Sequence, residues 1–186
     1  MSKVAIVGDP SGTGTFTISA PNGNTDRTLV LPDEAGTVLT SAGVPASAMP
    51  AGSVIQVVTG THSSSAGSTS TSYSDTGLSA TITPSSSSNK ILVIVYMPGL
   101  YKAATTAGTA VNLQLLRDST SVLTGSNCYN NASHQQLGIF SASILDMPST
   151  TSATVYKLQF KTNDGNYVLV NTDSDLATIT LLEIAA

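Results

Sequence analysis

The stretch TVYKLQFKTNDGNYVLV, residues 154–170, decides the fold class. In its first nine residues Tyr156, Leu158 and Phe160 fall on one side of a period-two pattern, and Val155, Lys157, Gln159 and Lys161 on the other. That period belongs to a half-buried strand, with one face toward a core and one toward water. Asn163-Asp164-Gly165-Asn166 follows, a run of residues suited to a tight turn, and Tyr167-Val168-Leu169-Val170 is apolar again. Strand, turn and strand in this order predict a β-hairpin.

The same texture extends to both sides. Strand-like segments are predicted at residues 54–59, 78–83, 91–96, 111–115, 137–145, 154–162, 167–170 and 177–184, separated by polar loops. The segment ILVIVY, residues 91–96, is apolar on both faces and is expected at the centre of a sheet. Val111, Leu113 and Leu115 alternate with Asn112 and Gln114 before Arg117-Asp118-Ser119 turns the chain. The loop THSSSAGSTSTSYSD, residues 61–75, has almost nothing to bury and is expected on the surface. Eight such strands predict an all-β chain whose residues 51–186 form a jelly-roll-like antiparallel β-sandwich. In the last strand Leu182 and Ile184 point away from Ile179 and Leu181, so a second apolar face needs a partner. A subunit interface in a homotrimer is the expectation for Leu182 and Ile184, by analogy with trimeric jelly-roll heads.

Composition narrows the classes of function. Only 10% of the 186 residues are charged, against about 25% in a typical domain. Ser and Thr supply over a quarter of the chain, a composition that suits strands and turns better than helices. A net charge of −4 with 7 scattered Lys and Arg residues offers no basic stripe for nucleic acid. The longest apolar run, residues 91–97, is far below the roughly 20 residues of a membrane-spanning helix, and the N-terminal residues lack the apolar core of a signal peptide. Neither membrane insertion nor secretion is expected. The lone Cys128 forbids an intrachain disulfide, so packing and self-association must supply stability.

Residues 1–50 differ in texture. FTISA, residues 16–20, alternates; Leu29-Val30-Leu31 stops at Pro32; Asp33-Glu34-Ala35-Gly36 reads as a turn and Thr37-Val38-Leu39-Thr40 as a return strand. Such an extended hairpin buries one thin face and is marginal alone. SAGVPASAMPAG, residues 41–52, with two prolines and no charge, reads as a linker to the head.

The order of FTISAP, RTLVLPD and GTV within residues 16–40 resembles a repeat of bacteriophage fibre and virion proteins. The resemblance implies a virion structural protein located on the capsid surface or the tail. It implies contacts with sister subunits and with a capsid or tail protein through Phe16, Ile18, Leu29, Leu31, Val38 and Leu39. Two placements compete: a homotrimeric capsid decoration protein or head fibre, and a short tail fibre that touches the host. The few residues before the head favour the first. A lectin-like carbohydrate-binding module is the expectation from another class.

Catalytic patterns fail on context. Gly8, Gly12 and Gly14 follow an apolar strand, but no Lys-Ser or Lys-Thr and no helix succeed them, so they do not make a phosphate loop. His62 and His134 both fall in polar loops, and no nucleophile elbow is present. Asn171, Asp173 and Asp175 alternate like the first calcium ligands of an EF-hand, but Leu176 stands where its glycine is required. No enzyme activity, cofactor or metal is expected. The loop around Tyr129, Asn130, Asn131, His134, Gln135 and Gln136 joins amides to an aromatic ring, which suits recognition of a host surface glycan or of a protein.

Overall fold

A computed structural model describes residues 10–15, 17, 22–24, 26, 28, 44–102, 108–127 and 135–186. The chain divides into two compact units, Met1–Val38 and Leu39–Ala186. The predicted anchor residues Phe16, Ile18, Leu29, Leu31, Val38 and Leu39 lie outside the described residues, as do Cys128, Tyr129, Asn130, Asn131 and His134.

Among the described residues the second unit is all-β, with two antiparallel sheets in a sandwich. Its strands are β1 (Val54–His62), β2 (Ala66–Ser68), β3 (Ser74–Ile82), β4 (Lys90–Lys102), β5 (Val111–Arg117), β6 (Thr120–Asn127), β7 (Gln136–Asp146), β8 (Thr154–Thr162), β9 (Val168–Val170) and β10 (Ala177–Ile184). One sheet runs β1-β10-β4-β7, with β9 and β2 continuing beside β4; the other runs β3-β8-β5-β6. The pairings nest. β5 pairs β6, β4 pairs β7, β3 pairs β8 and β1 pairs β10. A long antiparallel ribbon folded over itself produces that order, and it is the jelly-roll topology.

The core lies between the sheets. Ile91, Val93, Val95 and Met97 of β4, Leu113 and Leu115 of β5, Tyr156, Leu158 and Phe160 of β8, and Ile179 and Leu181 of β10 are all buried. Each side chain of this size stabilises the fold by roughly 1.5–3 kcal/mol when it leaves water. β8 follows its predicted alternation throughout, with Val155, Lys157, Gln159 and Lys161 only partly covered.

Three features depart from the sequence reading. Among the described residues of the second unit ten strands form rather than eight. β6 has its apolar pair Val122-Leu123 side by side, so no alternation marks it, and it bulges at Val122, opposite Leu115 and Leu116 of β5. β2 arises inside the serine-rich loop because Ala66, Gly67 and Ser68 can pair with β9 without burying anything large. Tyr167 rests against Gly67, where an added Cβ would sit 2.2 Å from the phenol oxygen.

The turn at residues 163–166 forms, but it does not make a hairpin. β8 already has β3 on one edge and β5 on the other, so no edge remains for β9, which crosses to the opposite sheet and pairs β2 and β4. The turn is held instead by side chains. Asp164 accepts from Thr109 Oγ1 at 2.8 Å, from Thr162 Oγ1 at 3.0 Å and from the Asn166 backbone at 3.1 Å. Asn163 bonds both the Gly108 carbonyl and the Ala110 amide, each at 2.7 Å. Partial burial would raise the Asp164 pKa, but these donors outweigh it and hold the carboxyl at about 2.

The third departure is Glu183, which sits on the inward side of β10 and is fully buried. Its Oε1 accepts from Asn89 Nδ2 at 2.6 Å, Ser85 N at 2.7 Å and Ser85 Oγ at 2.8 Å, while Oε2 accepts from Gln56 Nε2 at 2.5 Å. A carboxylate here ties β1, β10 and the β3–β4 loop together. Burial alone would raise its pKa, yet the donors from Asn89, Gln56 and Ser85 more than compensate and hold it below the usual glutamate value.

Removing that acceptor leaves buried donors unpaired, so Glu183→Ala is expected to cost about 1–3 kcal/mol in urea unfolding at neutral pH. Because the folded pKa is depressed, the contribution of Glu183 is full above the unfolded value of about 4.3 and is lost as pH falls through the folded value. Urea midpoints from pH 7 down to pH 3 should therefore fall less steeply in Glu183→Gln than in the wild type. Gly60 tests the packing between sheets. A Cβ there would lie 2.0 Å from the Ser79 carbonyl oxygen of β3, so Gly60→Ala must push β1 and β3 apart. The expected loss, measured the same way, is about 1–3 kcal/mol.

Candidate functional site

The described carboxylates are largely taken up by the fold. Asp146 forms a two-pronged ion pair with Arg117 at 2.8 and 2.9 Å and also accepts from the Tyr156 hydroxyl at 2.6 Å. Burial, then this carboxylate, pushes the Tyr156 phenol well above the usual tyrosine value, so the ring stays neutral and donates. Asp118 accepts from the Val155 amide at 2.9 Å and Asp75 from Gln159 at 2.6 Å. Among the described residues no three His, Cys, Asp or Glu side chains gather as metal ligands.

His62 is not in a loop as expected. It ends β1, partly buried, and its ring covers Gly77, where a Cβ would meet the imidazole at 2.5 Å. Gly77 has φ +91°, so the ring lies over a turn of backbone that glycine favours. Asn171 is a turn residue: it is buried with φ +56°, and its Nδ2 donates to the Asp175 carbonyl at 2.9 Å. Of the predicted recognition loop, Gln135 is exposed and Gln136 opens β7 opposite Lys102. The Gln136 Oε1 is buried with no hydrogen-bond partner among the described residues.

The two sheets differ most on their outward faces. On the β3-β8-β5-β6 sheet that face is polar and self-satisfied. Lys157 pairs with Asp75 at 3.1 Å, Gln159 donates to Asp75, and Gln114 donates to Gln159 at 2.7 Å. The Lys161 ammonium lies 4.7 Å from the Tyr73 ring centroid. First Gln159 and then Lys157 hold the Asp75 carboxyl below its usual value. This is a surface made for water.

On the other sheet the outward face carries one apolar row beside rows richer in hydroxyls. Register aligns Val57, Leu182, Leu92 and Leu145 in one row across β1, β10, β4 and β7. The next row is Thr59, Thr180, Ile94 and Ser143, and the one after it Thr61, Thr178, Tyr96 and Ser141. Val57 is 57% exposed, Leu145 52% and Ile94 42%. Ile184 pairs with Val54 and Lys90 at the border, where Lys90 brings the charge on this face of the four strands. Leu182 and Ile184 thus point outward as the sequence implied, and they belong to a wider surface. Sequence reasoning missed Val57 and Leu145 because each looks like an ordinary strand residue until register places it beside the others. The ILVIVY segment is central in its sheet, but only Ile91, Val93 and Val95 face the core, leaving Leu92 half-buried and Ile94 and Tyr96 exposed on the other face.

No family model matches the chain, and no curated protein matches it significantly. Among solved structures it is similar to PRD1 vertex protein P5, with 14% identity and a TM-score of 0.39 over 72% of this chain and 99% of that one. It is also similar to a chain of infectious bursal disease virus Gt strain, with 16% identity and a TM-score of 0.35 over 70% of this chain and 38% of that one. For the D431N mutant VP2 protein of infectious bursal disease virus the values are 18% identity, a TM-score of 0.34, and 70% and 36% coverage. The chain spans well under half of the two bursal disease virus chains.

Proposed function

We infer that this chain is a virion structural protein that assembles as a homotrimer through the outward face of its β1-β10-β4-β7 sheet. The contrast between the two outward faces carries the reading. A face built of Lys157, Gln159, Asp75 and Gln114 is solvated and internally paired, whereas the opposite face sets Val57, Leu182, Leu92 and Leu145 in one apolar row, with Ile94 and Ile184 beside it, and leaves Val57, Ile94 and Leu145 exposed to water. Continuous apolar surface depleted of charge is what buried interface cores are made from. In this reading residues 1–50 anchor the trimer to the virion through Phe16, Ile18, Leu29, Leu31, Val38 and Leu39, as the resemblance to bacteriophage fibre proteins implies. The placement proposed is on the capsid, as a decoration protein or head fibre, with no catalytic role.

Light scattering of the purified chain should give a three-chain mass, and Leu92→Asp or Leu182→Asp should give a folded monomer with unchanged circular dichroism. A monomeric wild type, or a Leu182→Asp protein of unchanged mass and stability, would remove the trimer. Capsid placement is tested separately by sedimentation with assembled particles. The full chain should co-sediment with them, and a chain lacking residues 1–50 should remain in solution.

A further inference from the structure

Beyond the bulge in β4 the outward face of the first sheet changes character. β4 slips register on β7 between Met97 and Leu100. Past that point Leu169, Tyr101 and Leu137 form a row across β9, β4 and β7, with Tyr167 lying against Gly67 at its end. These residues floor a depression of about 440 Å³ whose rim carries Thr172 and Asp173. That volume is within the range of small-molecule sites, and the composition is typical of them: an apolar aromatic floor with few polar groups.

The rim is held in place by the fold. Asn171 and Ser174 take left-handed φ of +56° and +58°. The Asn171 and Thr172 amides donate to the Pro98 and Gly99 carbonyls at 3.1 and 3.0 Å, and Asn171 Nδ2 donates to the Asp175 carbonyl. Thr172 Oγ1 donates to Asp173 Oδ2 at 3.3 Å, aligning a hydroxyl and a carboxylate side by side. Gly99, at φ +57°, permits this approach, since a Cβ there would sit 2.7 Å from the Thr172 amide nitrogen.

We propose that this depression binds a neutral pyranose unit of a glycan. Tyr101 and Tyr167 line the depression with aromatic rings, and such residues suit a ligand that is apolar on one face and hydroxylated at its edges. Asp173 accepts from sugar hydroxyls and Thr172 both donates and accepts. The described lining contains a carboxylate and neither Lys nor Arg, so phosphorylated, sulfated and sialylated ligands meet the wrong charge. The site is separate from the row of Val57, Leu182, Leu92 and Leu145 and does not rest on the self-association reading.

Saturation-transfer NMR on the full chain, with methyl glycosides of glucose, galactose, mannose and N-acetylglucosamine as probes, tests the site, alongside an array of neutral glycans. Transfer to ring protons of at least one probe is expected, abolished in Tyr101→Ala and weakened about tenfold in Asp173→Asn, which leaves a side chain of the same shape. Leu182→Asp should bind as the wild type does, which separates the fate of this site from that of the trimer. The proposal is overturned if no probe and no neutral glycan binds, or if both variants bind undiminished. It is also overturned if Tyr101→Ala changes the mass of the assembly, because the depression would then be a subunit contact.

Discussion

Both edges of β4 are hydrogen-bonded along almost its whole length, and the rest of the sandwich is arranged around that constraint. β7 runs beside it from Ile91 to Lys102, while β10 and then β9 occupy the other edge. A strand paired on both sides cannot bend freely, so its one irregularity, at Pro98 and Gly99, becomes a fixed landmark. Proline has no amide to donate and is tolerated where the ladder is already broken. The turn after β9 uses the freed carbonyls of Pro98 and Gly99, and so fixes the position of Thr172 and Asp173. The same strand sends Ile91, Val93, Val95 and Met97 into the core and Leu92, Ile94 and Tyr96 outward.

Polar groups close the sandwich where apolar packing ends. Glu183 joins β1 and β10 to the β3–β4 loop, Asp146 joins the ends of β5, β7 and β8, and Asp164 ties the turn after β8 to the segment entering β5. In a chain with so few charges, each carboxylate that accepts several donors constrains a junction that hydrophobic burial leaves free to slide. Ser and Thr hydroxyls do much of the donating, which gives the hydroxyl-rich composition a structural purpose beyond solubility.

The outward faces of the two sheets differ in chemistry. The paired polar network around Asp75, Lys157, Gln159 and Gln114 needs no partner. The opposite face passes from an apolar row to rows rich in hydroxyls, and its far end, past the β4 bulge, carries Tyr101 and Tyr167 with the acidic rim. One sheet thus presents two chemically distinct zones separated by a single slip of register.

Much of this was legible in the chain alone. Period-two alternation fixes which side of a strand is apolar, because successive side chains point to opposite faces, and so β8, β10 up to Leu182 and the inward set of β5 were readable residue by residue. The turn at Asn163-Asp164-Gly165-Asn166 and the one at Asp118-Ser119 were readable for the same local reason. Pairing was not. Which strand lies next to which depends on the edges left open by every other strand, so β9 left β8 for β4, and β2 and β6 formed without an apolar pattern of their own. Sequence therefore determined the all-β class, the two-faced strands and the outward direction of Leu182 and Ile184. Only tertiary structure, by setting register across β1, β10, β4 and β7, brought Val57, Leu92 and Leu145 beside Leu182, buried Glu183 among its donors, and carried Tyr101 from a distant part of the chain to Tyr167 and Asp173.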